Sequence, residues 1–148
     1  MLLPTVDTTA LVLQEQMIAL IRAFGLHRPD QTPCGEPVSV AEAHALMELA
    51  RAAPLAQNDL VARLHLVKST VSRCVGLLEA RGWVERRRDP QDGRAVAVWL
   101  TDAGRQAATH LAAARQAKFT RVLEHIPPEE REHVLLALTT LVEAIRES

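Results

Sequence analysis

The residues best equipped for chemistry with an anion lie between positions 55 and 94. The run Lys68-Ser69-Thr70-Val71-Ser72-Arg73 combines short hydroxyls with two cations. A second cluster, Arg86-Arg87-Arg88, is followed after a turn by Arg94, with Asp92 two residues before it. Hydroxyls and ammonium groups suit phosphate oxygens, and a guanidinium suits either phosphate or a base edge. Residues 55–94 hold eight basic and five acidic side chains, a balance of +3. The other residues hold nine basic and 13 acidic, a balance of −4, so the overall charge of −1 conceals a basic centre. Such a centre suits a segment that meets a polyanion.

Catalytic groupings are missing from the pattern. The chain has no phosphate-cradling glycine loop, nucleophile elbow or H-E-x-x-H helix. Ser69 and Ser72 have His65 nearby in sequence, but no acid is placed to orient that imidazole as a triad requires. The reading is therefore not an enzyme.

The elements that must position the basic clusters follow from period and punctuation. Residues 68–81 have Val71, Cys74, Val75 and Leu78 at the i, i+3, i+4, i+7 spacing of a helix. Ser69, Ser72, Arg73 and Gly76 repeat that spacing on the opposite face, and Gly82 ends the helix. A shorter helix over 55–64, with Leu60, Val61 and Leu64 inward, precedes it across the tight connection His65-Leu66-Val67. From Trp83 the period changes to two. WVERRR and RAVAVWL read as strands, with Val96, Val98 and Leu100 on one face of the second, and DPQDG supplies the turn. Asp92 either holds the Arg94 guanidinium or organises that turn.

Around this lobe the spacing predicts four further helices. One covers 8–26, with apolar residues on more than one side. Another follows Ser39, a capping-box N-cap with Glu42, and carries Ala43, Leu46, Met47 and Ala50. A long helix starts at Thr101 or Asp102 and runs to about His125. The last covers 128–146, with Val134, Leu135, Leu138, Leu141, Val142 and Ile145 on one stripe. Residues 28–37, with three Pro and one Gly, form a loop. The fold class is thus mainly α with a small β-hairpin, and Ala and Leu rather than aromatics (3%) supply the core.

Helix, tight connection, helix and hairpin in that order make a winged helix-turn-helix. The second helix would enter a major groove. Arg94 at the wing tip would enter a minor groove, where flanking phosphates concentrate negative potential. The DNA-binding set read from the chain is Lys68, Ser69, Thr70, Ser72, Arg73, Arg86, Arg88, Asp92 and Arg94. A rival class is a winged-helix protein-interaction module without specific DNA binding, but such domains commonly lack basic residues on this helix and wing tip. No apolar run is long enough to cross a bilayer. The N-terminus has no basic region or cleavage site of a signal peptide. Two cysteines make no disulfide framework. The expected location is cytoplasmic, with no membrane partner.

The stretch LVARLHLVKSTVSRCVGLLEARGWVERRRDPQDGRAVAVWLTDAGR resembles the DNA-binding core of MarR-type transcriptional regulators, most specifically in D-P-x-D-x-R and L-T-x-x-G. The flanking helices match in order, so the resemblance covers nearly the whole chain. It implies a single MarR-like domain over 1–148: a winged-helix lobe over 55–100, and dimerisation helices over 8–26 and 102–146. It further implies a homodimer, on double-stranded DNA with a palindromic operator, and a ligand-responsive repressor. The family usually has a capping Ser or Asp before the recognition helix, where this chain has Val67.

The effector implied by the resemblance is a metal or a small organic molecule. Zinc-sensing members use a loop Cys, a His on the second helix and two His after the wing; Cys34, His44 and His110 match. The second post-wing position is Ala114, so His27 or water would complete a zinc or other transition-metal site. Oxidant sensing by Cys34 competes, though Arg28 is its only cation nearby in sequence, opposed by Asp30 and Glu36. An aromatic acid held by Arg22 or His44 is the organic alternative.

Overall fold

A computed structural model describes residues 7–89 and 91–148. Residues 1–6 and Pro90 of the expected turn lie outside them. The chain divides into two compact units, Met1–Ala114 and Arg115–Ser148.

The first unit begins with helix α1 (Thr8–Phe24). Asp7 caps it by accepting from the Thr9 N–H at 2.9 Å, and Gly25 closes it in the left-handed region at φ 84°. No residue of α1 is buried, and Leu11, Val12, Leu13 and Leu20 are exposed.

Helix α2 (Val40–Ala52) starts at the expected capping box. Ser39 Oγ accepts from the Glu42 N–H, and the Glu42 carboxylate accepts from the Ser39 N–H. Its buried face is wider than the expected stripe: Ala43 and Leu46 are joined by Ala45 and Leu49, while Ala50 is exposed. The reason is packing on two neighbours, since α2 contacts both of the helices that follow.

Leu55–Ala56 form a short strand, β1, which the sequence pattern does not announce. It pairs antiparallel with β3 (Val96–Leu100), placing Leu55 opposite Val98. Helix α3 (Gln57–Leu64) follows and buries Leu60 fully, with Val61 and Leu64 partly buried. Helix α4 (Lys68–Ala80) buries the predicted set Val71, Cys74, Val75 and Leu78. Strand β2 (Val84–Arg88) pairs with β3 from Val84↔Leu100 to Arg88↔Val96, giving the sheet order β1-β3-β2.

The hairpin departs from its expected pattern in one place. Val98 is fully buried, but Val96 is exposed and Ala97 is buried. Strand β1 ends at Ala56, opposite Ala97, so it has no residue paired with Val96.

Helix α5 (Asp102–Glu124) begins at Thr101, whose Oγ1 accepts from the Gly104 N–H at 3.0 Å and donates to the Gly82 carbonyl at 2.7 Å. Gly104 lies so close to the backbone just before β2 that a Cβ there would sit 2.0 Å from the Trp83 carbonyl oxygen. The L-T-x-x-G signature is thus a cap plus a close approach of α5 to the backbone at the base of the wing. Ala108 and Leu111 of α5 join a core built on Leu46, Leu49, Leu60, Val71, Val75, Leu78 and Val98.

The second unit holds the rest of α5 and, after the one-turn 3-10 segment Pro128–Glu130, helix α6 (Arg131–Glu147). Its apolar side chains are largely uncovered: Leu135 is 61% exposed and Leu136 is 64% exposed. No helix of the described residues is long and apolar enough to cross a membrane.

Candidate nucleic-acid interface

Helices α3 and α4 are joined through His65, a left-handed residue at φ 53°, and Val67, which is extended and precedes α4 without a side-chain cap. Ser69 does not replace the missing cap. The first turn of α4 therefore carries no acidic side chain and no hydroxyl that closes its N–H groups, a setting in which the helix dipole favours an anion. Lys68, Ser69 and Arg73 are exposed here, and Thr70 and Ser72 are half-buried.

The wing presents a different chemistry at each arginine. Arg88 and Arg94 are exposed. Arg87 is paired with Glu85 and lies 5.2 Å over the Trp99 ring, so its charge is already partly met. Arg86 is half-buried. Its Nη2 donates to the Ser72 carbonyl at 2.5 Å, which places it against α4, apart from the exposed cations.

At the tip, aspartates build the turn. Asp92 Oδ1 accepts from the Arg94 N–H at 3.1 Å, and the Asp92 carbonyl accepts from the Ala95 N–H at 3.0 Å. Asp89 Oδ1 accepts from Gln91, while the Asp89 N–H donates to the Ala95 carbonyl. Of the two roles expected for Asp92, these bonds make it an organiser of the turn that leads into Arg94.

Behind the recognition helix, Glu42 is 5% exposed, and its carboxylate accepts from Arg81 Nε at 3.0 Å. Arg81 also donates to the Pro37 carbonyl and lies 5.1 Å over the Trp83 ring. This pairing, which links the start of α2 to the end of α4, carries no signal in the sequence beyond the capping box that already explains Glu42. Cys74 is buried as expected. Desolvation, and then the negative charge of Glu42, push its thiol above the ordinary range, against a smaller downward pull from Arg73.

The expected metal ligands are not gathered. Among the described residues no group of three or more His, Cys, Asp or Glu side chains could hold a metal ion. The Cys34 thiol and the Thr32 hydroxyl are 2.9 Å apart, in a loop organised around buried Thr32. The His110 Nε2 is 3.1 Å from the Glu36 carboxylate, so it ties α5 to that loop. His44 and His27 are both exposed on the surface. Cys34, His44, His110 and His27, the residues read as a zinc site, are thus not among the groups that this single chain gathers within its described residues.

A helix without acidic residues in its first turn, beside a basic hairpin, makes a winged helix-turn-helix. Residues 37–95 match the MarR family. An uncharacterized HTH-type transcriptional regulator of Bacillus subtilis (strain 168), YdgJ, is 29% identical over 104 residues, which span 70% of this chain and 63% of that relative. The chain thus covers less than two thirds of YdgJ. Among solved structures, the PcaV transcriptional regulator of Streptomyces coelicolor, in complex with its natural ligand, superposes with a TM-score of 0.73. It is 22% identical over 97% of this chain and 99% of that one. FabT of Streptococcus pneumoniae, in complex with DNA, superposes with a TM-score of 0.67 at 22% identity, covering 94% of this chain and 92% of that one. These two likenesses are likenesses of fold. The family and its relatives are transcriptional regulators and not enzymes.

Proposed function

We propose that this chain is a sequence-specific transcriptional regulator that binds a palindromic operator as a homodimer and acts as a ligand-responsive repressor. The observation that carries the reading is the joint exposure of Lys68, Ser69 and Arg73 on α4 and of Arg88 and Arg94 on the wing. Hydroxyls and the ammonium would hold phosphates, Arg73 would read base edges in the major groove, and Arg94 would lie in the minor groove. FabT, which shares the fold, is in complex with DNA. The same exposed cations disfavour a winged helix devoted to protein partners.

The homodimer rests on uncovered apolar side chains in α1 and α6, including Leu11 at 45%, Leu13 at 50%, Leu136 at 64% and Ile145 at 54% exposure. Large apolar residues this exposed call for a partner surface. A twofold pairing would double the four to five base pairs that one recognition helix reads. The effector of this reading is a metal or a small organic molecule; PcaV, which shares the fold, is in complex with its natural ligand.

Selection of bound duplexes from a random pool, followed by a salt titration on the winner and on a scrambled duplex, tests the reading. Palindromic winners, a dimer mass by light scattering, and a steep fall in affinity with salt are expected. A monomer at low micromolar concentration, or equal affinity for both duplexes, would refute it.

A further inference from the structure

The wing contains one arginine placed unlike its neighbours. Along β2 the side chains alternate, and Arg86 shares its face with Val84, which is 1% exposed, while Glu85 and Arg87 point to solvent. Arg86 therefore extends across α4 and not away from it. Its Nη2 donates to the Ser72 carbonyl, and its Nε is shielded from solvent. A second bond runs in the same direction, from the Arg86 backbone N–H to the Glu79 carboxylate at 3.3 Å.

The helix side of this contact is shaped to receive it. Ser72, Gly76 and Glu79 follow the i, i+4, i+7 spacing of one helix face. Glycine in a helix interior costs stability relative to alanine, roughly 1 kcal/mol, so its presence at 76 calls for a reason. The guanidinium lies over it: a Cβ at Gly76 would touch Nη2 at 3.4 Å, an ordinary contact, and a longer side chain would occupy its seat.

From this geometry we propose that Arg86 is a positioning residue. It locks the wing to the recognition helix through Ser72 and thereby fixes the angle at which the two enter adjacent grooves, without contacting DNA itself. The inference rests on the DNA-binding reading above and deepens it. Ser72 lies between Ser69 and Arg73, so a bond at its carbonyl acts within the segment that would face the bases. A guanidinium bound to a carbonyl and shielded by the strand is poorly placed to neutralise a phosphate. Specificity is the property it governs, because base readout tolerates misalignment less than phosphate attraction does.

The test uses Arg86→Met, which keeps length and apolar packing but removes the donors, and Gly76→Leu, which keeps Arg86 but fills its seat. Affinity for the selected operator and for random duplex is measured from 50 to 200 mM salt. Hydrogen exchange of residues 84–88 is measured without DNA. Positioning predicts that both variants lose roughly tenfold in the ratio of specific to random affinity, with the salt slope unchanged and amide exchange in β2 accelerated. The two effects should not add in the double variant. A direct phosphate contact instead predicts that Arg86→Met lowers the slope by about 0.9 and weakens both duplexes alike, while Gly76→Leu retains affinity. That outcome, or an unchanged specificity ratio in either variant, overturns the proposal. If wild type shows no salt-dependent binding, the DNA reading fails, and Arg86 is then judged on β2 exchange: unchanged exchange in Arg86→Met would show that the lock is absent as well.

Discussion

Replacing Gly104 by alanine tests how closely α5 is seated on the base of the wing. The added methyl carbon would lie 2.0 Å from the Trp83 carbonyl oxygen, 2.9 Å from its carbon and 2.8 Å from Leu100 Cδ1. Carbon contacts are comfortable at about 3.5–4.0 Å, so the start of α5 must retreat by roughly an ångström or more. Two of the three obstructing atoms are backbone, which cannot rotate aside. The same Trp83 oxygen accepts from the Thr101 N–H at 3.0 Å, and Ala108 and Leu111 farther along α5 are 4% and 5% exposed. Retreat therefore strains one hydrogen bond, worth about 1 kcal/mol, and loosens packing at a cost of about 1–3 kcal/mol. Alanine's better helix propensity returns about 1 kcal/mol. The net expectation is a loss of about 2 kcal/mol, or roughly a 4–8 °C fall in Tm for a chain of this size. Circular dichroism during urea and thermal unfolding measures it. Gly93→Ala serves as the control, because no atom lies within 4 Å of a Cβ there. A Gly104→Ala midpoint equal to or above wild type would show that the helix is not seated this closely, and the account of L-T-x-x-G would fail.

Three further outcomes follow from the same structure. Arg94→Ala and Arg73→Ala should each weaken operator binding by about 1–3 kcal/mol at matched salt with Tm unchanged, since both side chains are exposed; wild-type affinity in both would refute the docking scheme. Glu42→Ala should destabilise by about 1–3 kcal/mol in urea unfolding, because a cap and an ion pair are lost together. The loss stays below that of a stranded buried charge, as the Arg81 side chain is 37% exposed and can turn to water. Cys74 titrates above its ordinary value of 9.0 in the folded chain. The folded state therefore holds a proton that the unfolded state releases, so this contribution is complete below pH 9.0 and declines as pH rises past it. Urea midpoints for Cys74→Ala and wild type, compared from pH 7 to 10, should show that decline in wild type alone. An identical pH dependence in both would remove Cys74 as its source.

What the sequence by itself determined is what local geometry dictates. The buried face of α4 follows from the spacing of Val71, Cys74, Val75 and Leu78, because a helix places those positions on one side whatever it packs against. The Ser39–Glu42 capping box and the Asp92 turn span two or three residues, and their bonds close within that span. Tertiary structure decided everything that depends on a second element. Leu55–Ala56 is too short to signal a strand and becomes one only because β3 lies alongside. Arg86 reads in sequence like Arg87 and Arg88, and only the seat at Gly76 and the Ser72 carbonyl separates it from them. That glycine in mid-helix was the one available clue. Cys34, His44 and His110 have the residue types of a metal site, and metal binding needs donors converging within a few ångströms, which spacing along the chain does not fix. The backbone path sets His110 against Glu36 and Cys34 against Thr32. Spacing along a chain determines which side chains share an element's face; which faces meet is settled only when the apolar sides of several elements are buried together.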